Sequence, residues 1–306
     1  MSQSNTKASS GLLYAFAAVV IWTGFILVSK AGILGSLALP DLMIVRFGTA
    51  FVLFFPFIWL HRKTILQWRM FALGCIGGLA YALSVYNGFQ YAPATHAALL
   101  LPGLMPIMIA IFAYFLAGER HTLASWTGIV VSSLGILTLF AEALLSGGSY
   151  WFGDISFIIA CVFWGMFTVL LRRWQFAPWQ ATLGIIAVTT VLFAPVYVFF
   201  LPHNLGNASW QMLGLQAFYQ GIMATVVQMV FYSRAVHILG ATKMGGLMAL
   251  VPVFACVLAV PLFGEHWTLG LSIALVLILT GTLIGNISFA KLRAYRCSKT
   301  TRVKRI

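Results

Sequence analysis

Polar side chains recur at helical spacing inside two apolar stretches of the chain. Tyr81, Ser84 and Asn87 stand three residues apart, which places them close to one face of a helix. Gln220 and Gln228 share a face in a later stretch. Amides in an apolar surrounding need hydrogen-bond partners or water, so they are expected to point inward. The pattern predicts a polar lining that binds a small solute, with hydrogen bonds that only fix helix packing as the alternative.

Two tryptophans add an aromatic surface to this lining. Trp22 and Trp164 lie near the middle of apolar runs, away from the interfacial positions where tryptophan usually gathers. An indole ring stacks on apolar or aromatic solutes, and its N–H needs an acceptor when it is buried. Ordinary packing in the core is the alternative role.

Arg46 lies inside the second apolar run. A charge at the centre of a bilayer costs about 2.5–3.5 kcal/mol even on a lenient scale. Arg46 should therefore face the protein interior, either as a structural hydrogen-bond hub or as the group that binds a substrate carboxylate. The residues predicted to bind substrate are Trp22, Arg46, Tyr81, Asn87, Trp164 and Gln228.

The composition indicates a membrane protein. Of the 306 residues, 61% are hydrophobic and only 8% are charged, whereas a soluble domain carries about 25% charged residues. Such a surface cannot face water, and a helix of about 20 apolar residues crosses a bilayer. Apolar runs predict ten spans, near residues 11–30, 41–60, 70–90, 96–116, 123–142, 154–172, 181–201, 211–233, 244–263 and 269–290.

The distribution of charge predicts the orientation of these spans. With the N-terminus in the cytoplasm, only Lys30 and Arg46 of the 18 basic residues fall on the outer side, which favours ten spans with both termini in the cytoplasm. Lys30 is expected to reach the outer surface or to pair with Asp41. Much of the net charge of +13 lies in the tail 291–306, which indicates a cytoplasmic anchor on anionic lipid rather than nucleic-acid binding.

The chain repeats a five-span unit. A proline followed twelve residues later by Gly-Glu occurs at Pro106 and again at Pro252. Because five is odd, the second unit enters the membrane in the opposite direction. The expected fold is an all-α integral membrane protein of ten helices, with inverted repeats at 11–142 and 153–290. A duplication kept only for packing is the alternative.

These motifs, taken in order, resemble the EamA family of the drug/metabolite transporter superfamily. Trp-x-x-Phe followed by a basic residue begins at Trp22 and again at Trp164. The fourth and ninth spans each begin near Ala-Thr, contain the repeated proline and end at Gly-Glu. The resemblance covers residues from about 11 to 290. It implies a central cavity through which small metabolites are transported, and the family commonly exports amino acids. A departure from the family's Trp-Gly pattern occurs at Trp22, which Thr23 separates from its glycine.

Prolines interrupt both of these spans. Pro102, Pro106 and Pro252 each remove an intrahelical hydrogen bond, and the resulting kink acts as a hinge or as a static bend. Glu119 and Glu265 end the same spans. They are expected to tie loops through hydrogen bonds rather than to gate a pathway.

No catalytic group, cofactor or metal site is predicted. The four cysteines lack CxxC spacing, and the five acidic residues are scattered singly. Proton coupling is unsupported, because no acid lies clearly at mid-membrane and both His96 and His237 lie near span ends. Gly281 and Gly285 form a GxxxG pair that packs within one chain or joins two, so a monomer and a homodimer both remain open.

The sequence therefore predicts a multi-pass transporter of the bacterial inner membrane. It is expected to export amino acids or related compounds by alternating access between its two repeats. A passive facilitator or channel is the nearest alternative. An integral membrane enzyme is the other, but it would need paired acids or histidines at a membrane surface.

Overall fold

Helices make up the regular structure of the described residues. The computed structural model describes residues 2–35, 37–118, 123–145, 150–201, 204–239, 244, 247–248 and 250–284, and no strand occurs within these ranges. Lipid offers no partner for backbone N–H and C=O groups, so a chain with this composition satisfies them within helices. The prediction of an all-helical membrane protein is confirmed for this part of the chain.

The helices are numbered α1 to α10 in chain order. The first half contains α1 Ser2–Leu34, α2 Leu39–Leu60, α3 Trp68–Tyr91, α4 Ala94–Ala117 and α5 Leu123–Leu145. The second half begins with α6 Trp151–Arg173 and α7 Pro178–Phe200. It continues with α8, which comprises Trp210–Gln216, Ala217–Val227 and Gln228–Leu239, and then with α9 Leu250–Phe263 and α10 Leu269–Ile284.

Seven of these helices are long and apolar enough to cross a membrane, namely α1 to α4 and α6 to α8. In α5, α9 and α10 the described apolar stretches are shorter, at 126–138, 250–263 and 269–284. They lie where the other three spans were expected. The chain is therefore a multi-pass membrane protein, and the count of ten spans stays a prediction.

The main helix contacts join the two halves and occur in matched pairs. α1 packs against α8 and α9, while α6 packs against their counterparts α3 and α4. α2 packs on α7, and α4 packs on α9. At the start of α2, the Asp41 carboxylate accepts a hydrogen bond from the Tyr197 hydroxyl near the end of α7, at 2.7 Å. Each of these contacts therefore has a counterpart in which the first and second halves change roles.

The repeated Gly-Glu marks helix ends, as its position in the sequence indicates. Gly118 follows α4 with φ 64°, and Gly264 follows α9 with φ 65°. This left-handed conformation favours glycine and closes a helix C-terminus. Pro102 and Pro106 lie inside α4 without interrupting it, and Pro252 lies in the first described turn of α9. Their role as hinges stays a prediction.

α3 and α8 each contain a wider π-helical segment at the equivalent place in the two halves. These segments are Cys75–Ala80 and Ala217–Val227. Tyr81 directly follows the first, and Gln228 directly follows the second. Such segments are rare and occur frequently at functional sites. Two of the predicted binding residues are therefore placed by an irregular turn of helix.

Candidate functional site

α2 carries Arg46 to the contact between the two halves. Its Nε donates a hydrogen bond to Thr225 Oγ1 of α8 at 3.2 Å, and its Nη1 lies 3.5 Å from the Tyr86 hydroxyl of α3. The guanidinium carbon lies 5.0 Å from the ring centre of Phe25 and 5.1 Å from that of Phe47. Aromatic faces at this range attract a cation. Arg46 therefore faces the protein interior, as its position in an apolar run predicts.

Within the described residues, the guanidinium of Arg46 has no carboxylate partner. The ion pair that occurs among the described residues joins His96 to Asp154 and does not include Arg46. A guanidinium has five N–H donors and binds a carboxylate through two parallel hydrogen bonds. With two protein partners recorded, Arg46 retains donors for such a group. The site is thus suited to a ligand that carries a negative charge.

The π-helical segment of α8 positions the partner of Arg46. Thr225 Oγ1 donates to the carbonyl of Gln220 at 2.7 Å while it accepts from Arg46. Gly221 lets this segment approach α2, because a Cβ added there would lie 2.9 Å from Thr49 Cβ and 3.2 Å from the Arg46 carbonyl. Any larger residue would force the two helices apart.

A second pair of predicted residues also meets across the halves. The rings of Tyr81 in α3 and Trp164 in α6 lie 4.9 Å apart at 45°, and Phe167 continues the aromatic surface 5.2 Å from Trp164. Neither the Trp164 indole N–H nor the Tyr81 hydroxyl has a recorded hydrogen bond within the described ranges. Tyr81 and Trp164 therefore form an aromatic pair across the two halves.

The other three predicted binding residues are placed differently. Asn87 Nδ2 donates to Ser156 Oγ at 2.8 Å, which matches the alternative role of fixing helix packing. Gln228 is half-buried, and its side chain has no hydrogen bond recorded in the described part of the chain. Trp22 is half-buried against the main core. No recorded ring contact joins Trp22 to Trp164 within these residues.

Three of the side chains around Arg46 were not among the predicted binding residues. Phe25 and Tyr86 flank Arg46, and Thr225 anchors it. Phe25 belongs to the repeated Trp-x-x-Phe motif, which was a usable signal. Gln220 is fully buried and donates to Ser29 Oγ of α1 at 2.8 Å, so this amide joins helices rather than lining a cavity.

Of the two alternatives expected for Lys30, the pairing with Asp41 does not occur among the described residues. Its Nζ donates to the carbonyls of Phe89 and Ala92 at 3.0 and 2.8 Å, at the end of α3. Unpaired carbonyls at a helix C-terminus attract a cation, which explains why lysine lies here. Asp41 is fully buried and accepts hydrogen bonds from Tyr197 and from backbone N–H groups of its own surroundings.

Glu265 binds a helix N-terminus, whereas Lys30 binds a helix C-terminus. Its Oε1 and Oε2 accept from the N–H groups of Ala94 and Thr95, at 2.6 and 2.9 Å, in the first turn of α4. A carboxylate stabilises the unpaired N–H groups at a helix N-terminus. The prediction that Glu265 ties chain segments by hydrogen bonds agrees with this geometry. Its counterpart Glu119 lies outside the described residues, as do Gly285 and the tail 291–306.

The described residues contain no group of three His, Cys, Asp or Glu side chains arranged to hold a metal ion. Cys75, Cys161 and Cys256 are free thiols. The arrangement around Arg46 and Trp164 is instead one of hydrogen-bond donors and aromatic faces. Such a set is chemically suited to a small organic anion or zwitterion.

Comparison with known protein families identifies the family of this chain. The EamA-like transporter family matches residues 9–141 and again 151–287, which together make up most of the sequence. The chain belongs to this family. The EamA match divides it into two similar halves, in agreement with the exchange of helix contacts.

Two curated relatives illustrate the range of EamA-like proteins. An uncharacterized transporter, YdeK, of Bacillus subtilis (strain 168) is 25% identical over 292 residues, which cover 86% of this chain and 93% of that protein. The aromatic amino acid exporter YddG of Ancylobacter novellus is 25% identical over 199 residues, covering 63% of this chain and 69% of that protein.

A solved crystal structure shares the fold. It matches with a TM-score of 0.63 at 21% identity and covers 91% of this chain and 98% of its own. The EamA-like transporter family and this likeness together establish a membrane transporter fold over nearly the whole chain.

Proposed function

We propose that this EamA-like transporter exports small metabolites, namely amino acids or related compounds. Among them it prefers substrates with aromatic side chains. The Arg46 guanidinium binds the substrate carboxylate, and the Tyr81–Trp164 surface stacks on its side chain. Arg46, with no carboxylate partner in the described residues, is the observation that carries the proposal. The name of the Ancylobacter novellus relative supports the substrate class.

Alternating access between two inverted repeats is the proposed mechanism. The repeats are 11–142 and 153–290, close to the two segments matched by the family. Opposed helix directions support the inversion: Asp41 at the start of α2 meets Tyr197 near the end of α7, and Glu265, just after α9, meets the start of α4. These contacts support the proposal that equivalent helices run in opposite directions, as a carrier of this type requires.

The contacts of Arg46 explain how substrate would reach both halves at once. Arg46 belongs to the first repeat and Thr225 to the second, so a carboxylate bound to Arg46 acts at the boundary that must move. Trp164 of the second repeat likewise packs against Tyr81 of the first. The proposed inner-membrane location, with both termini in the cytoplasm, follows from the charge distribution.

Counterflow in proteoliposomes tests the proposal. Vesicles loaded with an unlabelled amino acid should accumulate the same labelled amino acid, first for the aromatic members of a metabolite panel. Fast downhill flux without counterflow would select the passive facilitator instead. No saturable flux of any solute in the panel would contradict the proposed function.

The variant Arg46→Gln should lose most of this counterflow. Arg69→Gln is the matched control, because Arg69 is exposed and its guanidinium lies over Trp68, away from the contact between the halves. Equal losses in both variants would show that removal of a charge, rather than of this site, lowers the flux.

A further inference from the structure

One ion pair joins the two halves at helix starts. His96 lies in the first turn of α4 and Asp154 in the first turn of α6, and the distance from Nδ1 to Oδ1 is 2.8 Å. The Asp154 side chain is 1% exposed and that of His96 is 12% exposed. No other ion pair occurs within the described residues. Neither His96 nor Asp154 belongs to the proposed substrate site.

The carboxylate of Asp154 is incompletely satisfied. Its Oδ2 is buried and has no hydrogen-bond partner among the described residues. A buried carboxylate is destabilising unless a charge or several hydrogen bonds compensate it. A neutral imidazole supplies one hydrogen bond, whereas a protonated imidazole also supplies the balancing positive charge. The contact is therefore stronger when His96 is protonated.

Three other charged groups on the predicted outer side contact atoms outside this pair. Lys30 of α1 binds backbone carbonyls at the end of α3. Glu265, after α9, binds N–H groups in the same turn of α4 as His96. Glu142 of α5 faces Gly270 in the first turn of α10. None of these groups is engaged with Asp154.

The remaining titratable neighbours are neutral groups. Tyr150, just before α6, places its ring 5.7 Å from the His96 ring. The thiol of Cys256 in α9 points to the Thr95 carbonyl at 3.7 Å, and Tyr91 of α3 packs on Phe152. The balance of charge at Asp154 therefore depends on His96.

We propose that His96 and Asp154 form a proton-binding site that holds the two repeats together on the predicted outer side. The inference rests on the proposed alternating access and adds a ligand, the proton, and a second site to it. Protonation favours the closed contact. Loss of the proton leaves the buried carboxylate poorly compensated, so outward opening is favoured as the pH rises. By linkage, opening must in turn release the proton.

Distance measurements between two spin labels test the site without any substrate. Leu34 at the end of α1 and Phe152 at the start of α6 are exposed, belong to opposite repeats and lie at the same predicted end. Cysteines at both positions, in a chain freed of its four native cysteines, carry the labels in lipid nanodiscs. The ratio of long to short distances should rise between pH of about 5.5 and 8.5, by at most about tenfold per pH unit for one proton.

Variants separate this site from other titrating groups. His96→Gln and Asp154→Asn should each abolish the pH response, and the exchanged pair His96→Asp with Asp154→His should restore it. His266→Gln is the matched control, since His266 is exposed and follows Glu265 directly. It should respond as the parent does.

A parent chain whose distances do not change with pH overturns the proposal without reference to any variant. A pH response that persists in His96→Gln also overturns it. Failure of counterflow with an intact pH response would instead contradict the proposed transport and leave this proton site supported.

Discussion

The hydrogen bond from Arg46 Nε to Thr225 Oγ1 joins the first half of the chain to the second at 3.2 Å. Thr225 also donates to the Gln220 carbonyl inside the π-helical segment Ala217–Val227. A carboxylate that binds the remaining donors of this guanidinium would therefore act on α8 through Thr225. In the proposed mechanism this is how occupancy of the site reaches the helices that move.

Thr225→Val should weaken substrate binding while preserving side-chain shape. The variant removes the acceptor that orients Arg46, and a hydrogen bond of this kind contributes about 0.5–1.5 kcal/mol. The expected loss of apparent affinity is roughly two- to tenfold, measured as the half-saturating concentration in counterflow. Thr225→Ser keeps the hydroxyl and should behave as the parent. If both variants are equally impaired, the hydroxyl does not position Arg46.

Trp164→Phe should reduce the preference for aromatic substrates. The indole lies 4.9 Å from the Tyr81 ring, and aromatic pairs contribute about 0.5–1.5 kcal/mol beyond their buried area. Competition between phenylalanine and an aliphatic amino acid should therefore shift by roughly two- to tenfold toward the aliphatic one. Trp210→Phe serves as control, because Trp210 is exposed. An unchanged preference in Trp164→Phe would remove this ring from the site.

Gly221→Ala should destabilise the contact between α2 and α8. The added methyl group would meet Thr49 Cβ at 2.9 Å, and overpacking of this kind costs about 1–3 kcal/mol. The thermal unfolding midpoint of the purified protein should fall. Gly214→Ala lies in the same helix and meets nothing within 4 Å, so it should be neutral or slightly stabilising. A common effect in both variants would point to helix propensity instead of close approach.

Glu265→Gln should destabilise the first turn of α4. An amide presents one acceptor, and its NH₂ group opposes a backbone N–H where the carboxylate accepts from both Ala94 and Thr95. Helix-capping changes cost about 0.5–2 kcal/mol, so the unfolding midpoint should fall. The neighbouring exposed His266→Gln should leave it unchanged. An unaltered midpoint in Glu265→Gln would mean that these hydrogen bonds contribute nothing measurable.

The sequence predicts the helices well because lipid restricts the backbone so strongly. Apolar runs locate the helices, and the repeated Gly-Glu correctly marks where α4 and α9 end, since Gly118 and Gly264 both adopt positive φ. The inward direction of Arg46 also follows from the energy of a charge in lipid. These inferences need only local sequence and the properties of the solvent.

The partners of polar residues are harder to predict, because they come from helices distant in the chain. Glu265 binds the start of α4, and Lys30 binds carbonyls at the end of α3 instead of the nearby Asp41. Nothing in local spacing indicates either choice. The π-helical segments are likewise set by packing, so the place of Gln228 directly after one of them required the structure.

The central claim is that Arg46 binds the carboxylate of the substrate. The most direct measurement compares competition by phenylalanine and by phenethylamine, which lacks the carboxylate, against labelled phenylalanine in the parent and in Arg46→Gln. A charge-assisted hydrogen bond contributes about 1.5–3 kcal/mol. The parent should therefore prefer phenylalanine by roughly 10- to 100-fold, and Arg46→Gln should lose that preference. An equal preference for phenylalanine in both proteins would contradict the account.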